Sequence, residues 1–216
     1  MKKILTVILS SLFLFSYSYA ERGVNVGISG QLGVFHATGT ETENAEITSD
    51  DATGVAGYAS IFVEKELGPI TIGLDYVPSA LASETSETVR SDLGAAADGA
   101  KSDKTNKVQV DFEDLTTLYV ALNTPLGVYV KAGLVQVDVV TNENLGTGST
   151  YANTDMDGTM LGVGYSADIG DSAFLRIEGS YMDLGSASVT GSNTDNKIEL
   201  KELEGATAKI SIGKSF

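Results

Sequence analysis

The chain has 216 residues, no cysteine, and 29 acidic residues against 14 basic ones, which gives a formal charge of −15. So acidic a surface excludes nucleic acid as a partner, because binding phosphate groups needs a basic surface. Since cysteine is absent, the fold has to be stable without disulfide bonds.

The first twenty residues have the pattern of a secretory signal peptide. Lys2 and Lys3 precede an apolar stretch over residues 4–15, and Ser18-Tyr19-Ala20 places small residues three and one before a cut. We predict cleavage after Ala20. Residues 1–20 hold two lysines and no acid, so residues 21–216 carry 12 basic and 29 acidic residues, a charge of −17. They are expected to form one domain, and they contain no apolar run of about twenty residues that a spanning helix would need.

Apolar and polar residues alternate with a period of two in eight segments of residues 21–216. In the first segment Val26 and Ile28 share one face, while Asn25 and Ser29 lie on the other. This period is typical of strands with two unlike faces, and helical spacing fits the segments less well. The predicted strands are 23–36, 57–67, 70–77, 107–123, 128–139, 158–168, 173–184 and 198–216.

The connections between these strands alternate in length. Those after strands two, four and six are short and rich in turn-forming residues. Those after strands one, three, five and seven are long and mostly acidic, and they cover 37–53, 79–106, 140–157 and 185–197. Short turns on one side and long loops on the other predict an up-and-down barrel in an outer membrane, with the long loops outside the cell.

The two faces of the predicted strands differ in composition. One face consists of Val, Ile, Leu, Ala and Gly, with aromatic residues near strand ends, namely Tyr76, Phe112, Tyr165, Tyr181 and Phe216. Aromatic girdles of this kind lie at lipid interfaces, so we expect the apolar face to contact lipid. The other face is rich in glycine, which suits the narrow interior of an eight-stranded barrel, and we therefore expect a plugged interior and no open pore.

These features together resemble the small outer-membrane β-barrels of the OmpA, OmpX and opacity-protein type. The likeness covers residues 21–216 and implies an all-β fold, an eight-stranded antiparallel up-and-down transmembrane β-barrel. It also implies that the last strand is the signal read by the barrel-assembly machinery, with Ala208, Ile210, Ile212 and Phe216 matching the pattern. Lys214 departs from that pattern, since an aromatic or aliphatic residue is usual there, and its ammonium group would reach the lipid headgroups.

Six charged residues lie on the polar phase of the strands and form the main candidate site. They are three acids and three bases, Glu64, Asp75, Lys131, Arg176, Glu178 and Lys209. In barrels of the type that the sequence resembles, lumen charges of this kind form ion-pair networks that block or gate the passage of water. The simpler interpretation is that the six residues only neutralise one another in a closed lumen, because a lone buried charge is costly.

Two weaker candidates remain, a metal site and a catalytic histidine. Asn153, Asp155, Asp157 and Gly158 resemble the start of a calcium loop, but Gly164 stands where the pattern needs glutamate, so loop solubility is the simpler interpretation. His36 is the only histidine, with Thr38, Thr40 and Ser49 as imaginable partners, and nothing in the spacing supports catalysis. We predict no enzymatic activity and no cofactor.

The function expected from the sequence is a structural or surface-interaction role, such as envelope integrity, adhesion or shielding, through four long acidic loops. A narrow porin-like channel for small solutes or ions is the alternative, and a lipid-modifying barrel enzyme is a weaker one. The expected partners are outer-membrane lipid, the barrel-assembly machinery and an unidentified extracellular ligand or host surface. A monomer is expected.

Overall fold

The alternating segments fold into antiparallel strands that close into a barrel. The computed structural model describes residues 23–43, 46–79, 81–82, 86–93, 101–145, 148–193 and 195–216. The strands are β1 (Val24–Glu43), β2 (Glu46–Leu67), β3 (Ile70–Tyr76), β4 (Leu81–Ala82), β5 (Ser86–Leu93), β6 (Lys101–Asn123), β7 (Val128–Asn144), β8 (Thr154–Ile169), β9 (Ala173–Asp183), β10 (Ala187–Thr190) and β11 (Lys197–Ser215).

Eight of these strands form the ring, in the order β1-β2-β3-β6-β7-β8-β9-β11, and β11 pairs back onto β1. Every neighbouring pair in the ring is antiparallel. The short strands β4 and β5 pair with β6, and β10 pairs with β11. The prediction of an all-β, eight-stranded antiparallel up-and-down barrel is confirmed.

Short turns join the strands at one end of the barrel. Gly68 and Pro69 are the two residues between β2 and β3, and Gly68 has a φ of 68°. A positive φ followed by proline fits the two central positions of a type II′ turn, whose twist matches that of the flanking strands. This turn fixes the register in which the polar residues of β2 and β3 share the interior.

The burial pattern of the barrel is the inverse of that in a water-soluble protein. Leu134 is 64% exposed on the outer face of β7, whereas Lys131 on the same strand is 6% exposed and points into the lumen. Ile28, Leu161 and Ile177 are likewise exposed on the outer faces of other strands. An outward band of aliphatic side chains around a polar interior is the arrangement that lipid requires.

The strands extend well beyond the predicted bounds at the end opposite the short turns. The residues predicted as loops 37–53, 79–106, 140–157 and 185–197 are in large part strand in the described ranges, so this part of the prediction is wrong. β1 and β2 have 20 and 22 residues, whereas crossing a bilayer takes about 9–11. Backbone pairing with the neighbouring strand continues the sheet beyond the outer aliphatic band.

A β-bulge in β6 overturns one of the predicted faces. The register with β7 shifts between Glu113 and Thr116, and Asp114 has a φ of 53°. One extra residue reverses which face the following side chains occupy. Phe112, predicted for the outer aromatic girdle, therefore packs against the apolar core of the lumen.

No helix in the described ranges is long and apolar enough to cross a membrane. The predicted cleavage point after Ala20 lies outside the described residues.

Candidate functional site

The lumen near the short turns holds a layer of charged side chains, and all six charged residues singled out from the sequence lie in it. Arg176 on β9 reaches Glu64 on β2, with Nη1 2.5 Å from Oε1. Lys131 on β7 reaches Glu178 on β9, with Nζ 2.6 Å from Oε2. Because the strands alternate in direction around the ring, residues distant in sequence reach the same height in the barrel.

Lys209 joins the remaining charges into a chain. Its Nζ lies 3.0 Å from Asp75 Oδ2 and 3.5 Å from Glu178 Oε1. The three acids and three bases therefore sum to zero charge. Water is largely excluded from this layer, since the side chains of the Lys131–Glu178 pair are only 5% and 3% exposed. Such a layer is held by mutual neutralisation, because leaving any one buried charge alone is expensive.

Two tyrosines and an asparagine also donate hydrogen bonds to the buried acids. The sequence did not identify these three residues as part of the site. The Tyr119 hydroxyl donates to Glu64 at 2.6 Å, and the Tyr129 hydroxyl donates to Glu178 at 2.8 Å. Asn25 Nδ2 donates to the other oxygen of Glu64 at 3.2 Å. Lys131 Nζ also lies 4.4 Å from the centre of the Tyr119 ring, so Tyr119 links the two groups of charges.

Glycines opposite these aromatic rings make room for them. Gly73 pairs across the strands with Tyr119, and Gly164 pairs with Tyr129. A methyl group built on Gly73 would lie 2.6 Å from the Tyr119 hydroxyl oxygen, and one on Gly164 would lie 2.5 Å from that of Tyr129. The lumen-facing glycines therefore allow each tyrosine to lie across the neighbouring strand and reach its carboxylate.

An apolar layer fills the lumen beyond the charged layer, toward the long ends of the strands. Its position follows from the strands, because the charged residue precedes the apolar ones along β7 and β9, which both run away from the short turns. In the described ranges twelve buried side chains form this apolar cluster, and Tyr119 belongs to both layers; they are Tyr58, Val77, Leu115, Tyr119, Val135, Val137, Val139, Met156, Met160, Met182, Leu184 and Leu203. The sequence analysis did not predict this layer, although Val135, Val137 and Val139 share the phase of Lys131.

The space left in the charged layer is small. Voids of about 10 Å³ lie beside Tyr58 and Lys209 and beside Tyr129 and Arg176. Each is about the size needed for one water molecule. The chemistry available here is ion pairing and hydrogen bonding.

The single histidine has a different partner from those considered in the sequence. His36 Nδ1 lies 3.1 Å from Thr53 Oγ1 on β2, on an exposed part of the barrel. Thr38, Thr40 and Ser49 are not the contact. Within the described ranges no carboxylate is hydrogen-bonded to His36, as would be needed to orient it as a base; Glu204, opposite it on β11, accepts from the Tyr181 hydroxyl.

The candidate calcium residues lie at the start of β8 and do not form a loop. Asp155 and Asp157 are exposed and flank the buried Met156, while Asn153 Oδ1 accepts the Thr141 N–H at 3.3 Å. A strand holds alternate side chains on one face and does not wrap them around an ion. In the described part of the chain no group of three or more acidic or histidine side chains is arranged to hold a metal.

The last strand closes the barrel and places its apolar residues outward. Ala208, Ile210, Ile212 and Phe216 are all exposed on the outer side. Phe216 is fixed by its backbone, since its N–H donates to Val24 O at 2.9 Å and its carbonyl accepts from Gly23 at 3.0 Å. Lys214 Nζ lies 4.9 Å from the centre of the Phe216 ring.

A closed ring of eight antiparallel strands, an aliphatic outer face and a polar lumen define an integral β-barrel of the outer membrane. Solved structures share this fold. The barrel has a TM-score of 0.59 to the outer-membrane protein AlkL, at 15% identity and 93% coverage of both chains. It has a TM-score of 0.52 to OprG of Pseudomonas aeruginosa, at 11% identity, covering 91% of this chain and 97% of that one.

The same fold also occurs in an enzyme. The outer-membrane protease OmpT of Escherichia coli matches with a TM-score of 0.51 at 10% identity, covering 93% of this chain and 100% of that one. Similarity at this level shows the fold and leaves the activity to the residues of each chain. No protein-family model matches the sequence. No curated protein matches it significantly.

Proposed function

We propose that the protein is a surface-display barrel, whose membrane part is an anchor and whose extended strands make contacts outside the cell. Envelope integrity, adhesion or shielding are the roles that such a molecule performs. The observation that carries this proposal is that the lumen is filled at two successive levels, by a neutral charged layer and by an apolar layer. In a barrel with a filled lumen, the residues available to contact other molecules lie at the outer end.

The extended strands support the same conclusion. The outward aliphatic band on β1 ends near Val34, whereas the strand continues to Glu43. The hairpin of β1 and β2 therefore stands above the lipid and carries exposed acids such as Asp50 and Asp51. An anchor without an outer role would not need this length, because about 9–11 residues per strand suffice to span.

An epitope inserted between Asp50 and Asp51 tests the display role. A matched insertion between Pro125 and Leu126, in a short turn, is the control. We expect antibody to label intact cells carrying the first insertion, and the second only after the cells are opened. Labelling of the turn epitope alone on intact cells would contradict the proposal.

Planar-bilayer conductance tests the alternative of a narrow channel. Wild type is expected to be silent, and so is Lys131→Ala, because the apolar layer blocks the lumen independently of the ion pairs. Steady single-channel currents from wild type would favour the channel. Currents from Lys131→Ala alone would make the charged layer a gate.

No enzymatic role is proposed. The contact between His36 and Thr53 offers no nucleophile activated by a base that a carboxylate orients. The final strand is proposed as the assembly signal, on the outward set of Ile210, Ile212 and Phe216.

A further inference from the structure

An apolar groove runs along the outer face of β1, between β2 and β11. Its volume is about 520 Å³, which falls within the range of about 300–1,000 Å³ that small-molecule sites occupy. A methyl group built on Gly30 would meet nothing within 4 Å, so this glycine leaves the floor of the groove open. The outward residues around it are aliphatic; they include Ile28, Ala59, Ile61, Ile210 and Ile212.

The strand register explains where the groove lies. Gly30 on β1 pairs with Ala59 on one side and with Ile210 on the other, so two small residues adjoin at this height. β3 pairs with β2 only from Leu67 as far as Ile61, and beyond Ile61 this edge of β2 has no partner strand in the described ranges. Pro78, which follows β3, lines the groove beside that edge. The groove is thus a gap in the aliphatic outer band.

Two lysines stand at the short-turn end of this groove, one on each side of β1. Lys65 on β2 pairs with Val24, and Lys214 on β11 pairs with Val26. Both valines share the outward phase of Ile28, and residues paired across strands point to the same face of the sheet. Both lysine side chains therefore leave the outer face of the barrel, from strands that lie about 10 Å apart.

Neither of these lysines is neutralised by the protein. Within the described ranges Lys65 and Lys214 have no ion-pair partner. The contact of Lys214 is the Phe216 ring, 4.9 Å from Nζ to its centre, which carries no formal charge. The lumen differs, since its six charged residues are all paired. Two unpaired ammonium groups at the rim of the aliphatic band attract the anionic headgroups of lipids.

From this geometry we infer that the groove binds one anionic phospholipid. Its phosphate lies between Lys65 and Lys214, and one acyl chain lies along β1 over Gly30, where it covers apolar side chains. A zwitterionic phospholipid is a poorer occupant, because its own cation would lie near two ammonium groups. A second copy of the barrel is also poorer, since two such faces would bring four unpaired lysines together.

Native mass spectrometry of the full-length barrel, released from micelles with equal amounts of phosphatidylglycerol and phosphatidylcholine, tests the headgroup. We expect wild type to retain one phosphatidylglycerol in preference to phosphatidylcholine. Lys65→Gln combined with Lys214→Gln should bind phosphatidylglycerol about 30-fold more weakly, the effect of two lysines near an anionic headgroup. The matched control is Lys197→Gln combined with Lys201→Gln, which removes the same charge from the far, exposed end of β11 and should bind like wild type.

Gly30→Leu tests the groove, because the new side chain would occupy the space of the acyl chain. It should weaken phosphatidylglycerol binding about tenfold through the lost apolar contact. Ala132→Leu is the matched control, since Ala132 is an exposed residue of β7, away from the groove, and its substitution should have no effect. Glycerol phosphate in excess should not displace the lipid, because it lacks the chain. Heat-dependent gel mobility shows whether each variant has folded.

Equal retention of the two lipids by wild type would overturn the inference. So would unchanged binding by the variant that lacks Lys65 and Lys214 or by Gly30→Leu, and so would displacement of the lipid by glycerol phosphate. The comparison of the two lipids on wild type needs no substitution, so it decides the matter even if a variant does not fold. The inference does not depend on the display role, which epitope labelling of intact cells tests separately.

Discussion

At the scale of single residues, the charged layer combines ionic groups with aromatic rings that sequence alone does not bring together. The six charged residues could be predicted because each stands at a position of an alternating strand that faces away from the apolar side. Tyr119 and Tyr129 could not, because their role depends on glycines on the neighbouring strands, and the pairing that sets glycine opposite tyrosine is known only from the register.

Lys131→Met tests how much the charged layer contributes to the free energy of unfolding. It leaves Glu178 buried with the longer contact to Lys209 as its one remaining ion pair, beside the hydrogen bond from the Tyr129 hydroxyl. The free energy of unfolding should fall by about 3–5 kcal/mol, as for other broken buried pairs. Urea unfolding in lipid vesicles measures this change.

Lys197→Met is the matched control, since Lys197 pairs with Glu199 on an exposed part of β11. Its effect should be below about 1 kcal/mol. Equal effects of the two substitutions would show that the lumen pair is hydrated like the exterior one.

Gly73→Ala tests whether glycine admits the Tyr119 ring. The added methyl group would lie 2.6 Å from the Tyr119 hydroxyl oxygen and should push the tyrosine away from Glu64. We expect a loss of about 1–3 kcal/mol in the free energy of unfolding from the carboxylate left without this donor.

Gly30→Ala provides the comparison, because a methyl group there meets nothing within 4 Å and points outward. Its effect should stay within about 0.5 kcal/mol. A destabilisation by Gly30→Ala as large as that by Gly73→Ala would assign the effect to the strand backbone and not to the ring.

At the scale of elements, the strands of the ring could be predicted but not their full length. The lipid-spanning segments alternate because one face meets lipid and the other the lumen. Beyond the lipid that contrast vanishes, so residues 37–43 and 46–53 read as acidic loops although they pair as strands. Backbone hydrogen bonding with a neighbouring strand does not require apolar and polar residues to alternate, so it cannot be recognised in the sequence.

The bulge in β6 also could not be predicted from the alternation of apolar and polar residues. One inserted residue reverses the phase, so Phe112 and Leu118 occupy opposite faces although they are six residues apart. Asp114 supports the bulge with its positive φ and accepts a hydrogen bond of 2.6 Å from the Tyr76 hydroxyl. Aspartate adopts this backbone conformation more readily than a β-branched residue does.

Asp114→Val should therefore lower the free energy of unfolding by about 1–2 kcal/mol, through the backbone conformation and the lost hydrogen bond. Asp114→Asn keeps both the tolerated conformation and an acceptor, so it should stay near wild type. The measurement is urea unfolding of the two variants side by side. If valine were as stable as asparagine, the bulge would not depend on residue 114.

At the scale of the whole molecule, the proposed function assigns anchoring and contact to different parts of the barrel. In this proposal the filled lumen and the aliphatic outer band serve the membrane, while the extended acidic hairpin serves the exterior. The short turns and the closing contact of Phe216 with Gly23 and Val24 lie at the opposite end. The difference between the two ends was predictable from the alternating lengths of the connections. The unpaired edge of β2 was not predictable, because it depends on β4 and β5 pairing with β6.

The central claim is that the aliphatic face of the strands lies in lipid, and spin labels placed along β7 test it most directly. The chain has no cysteine, so single cysteines at Val130, Lys131, Leu134 and Asp138 can be labelled without background. In vesicles, labels at Val130 and Leu134 should be relaxed by oxygen and protected from a water-soluble nickel complex. The label at Asp138 should respond to the nickel complex, and that at Lys131 to neither. Strong relaxation by the nickel complex at Leu134, equal to that at Asp138, would contradict the account.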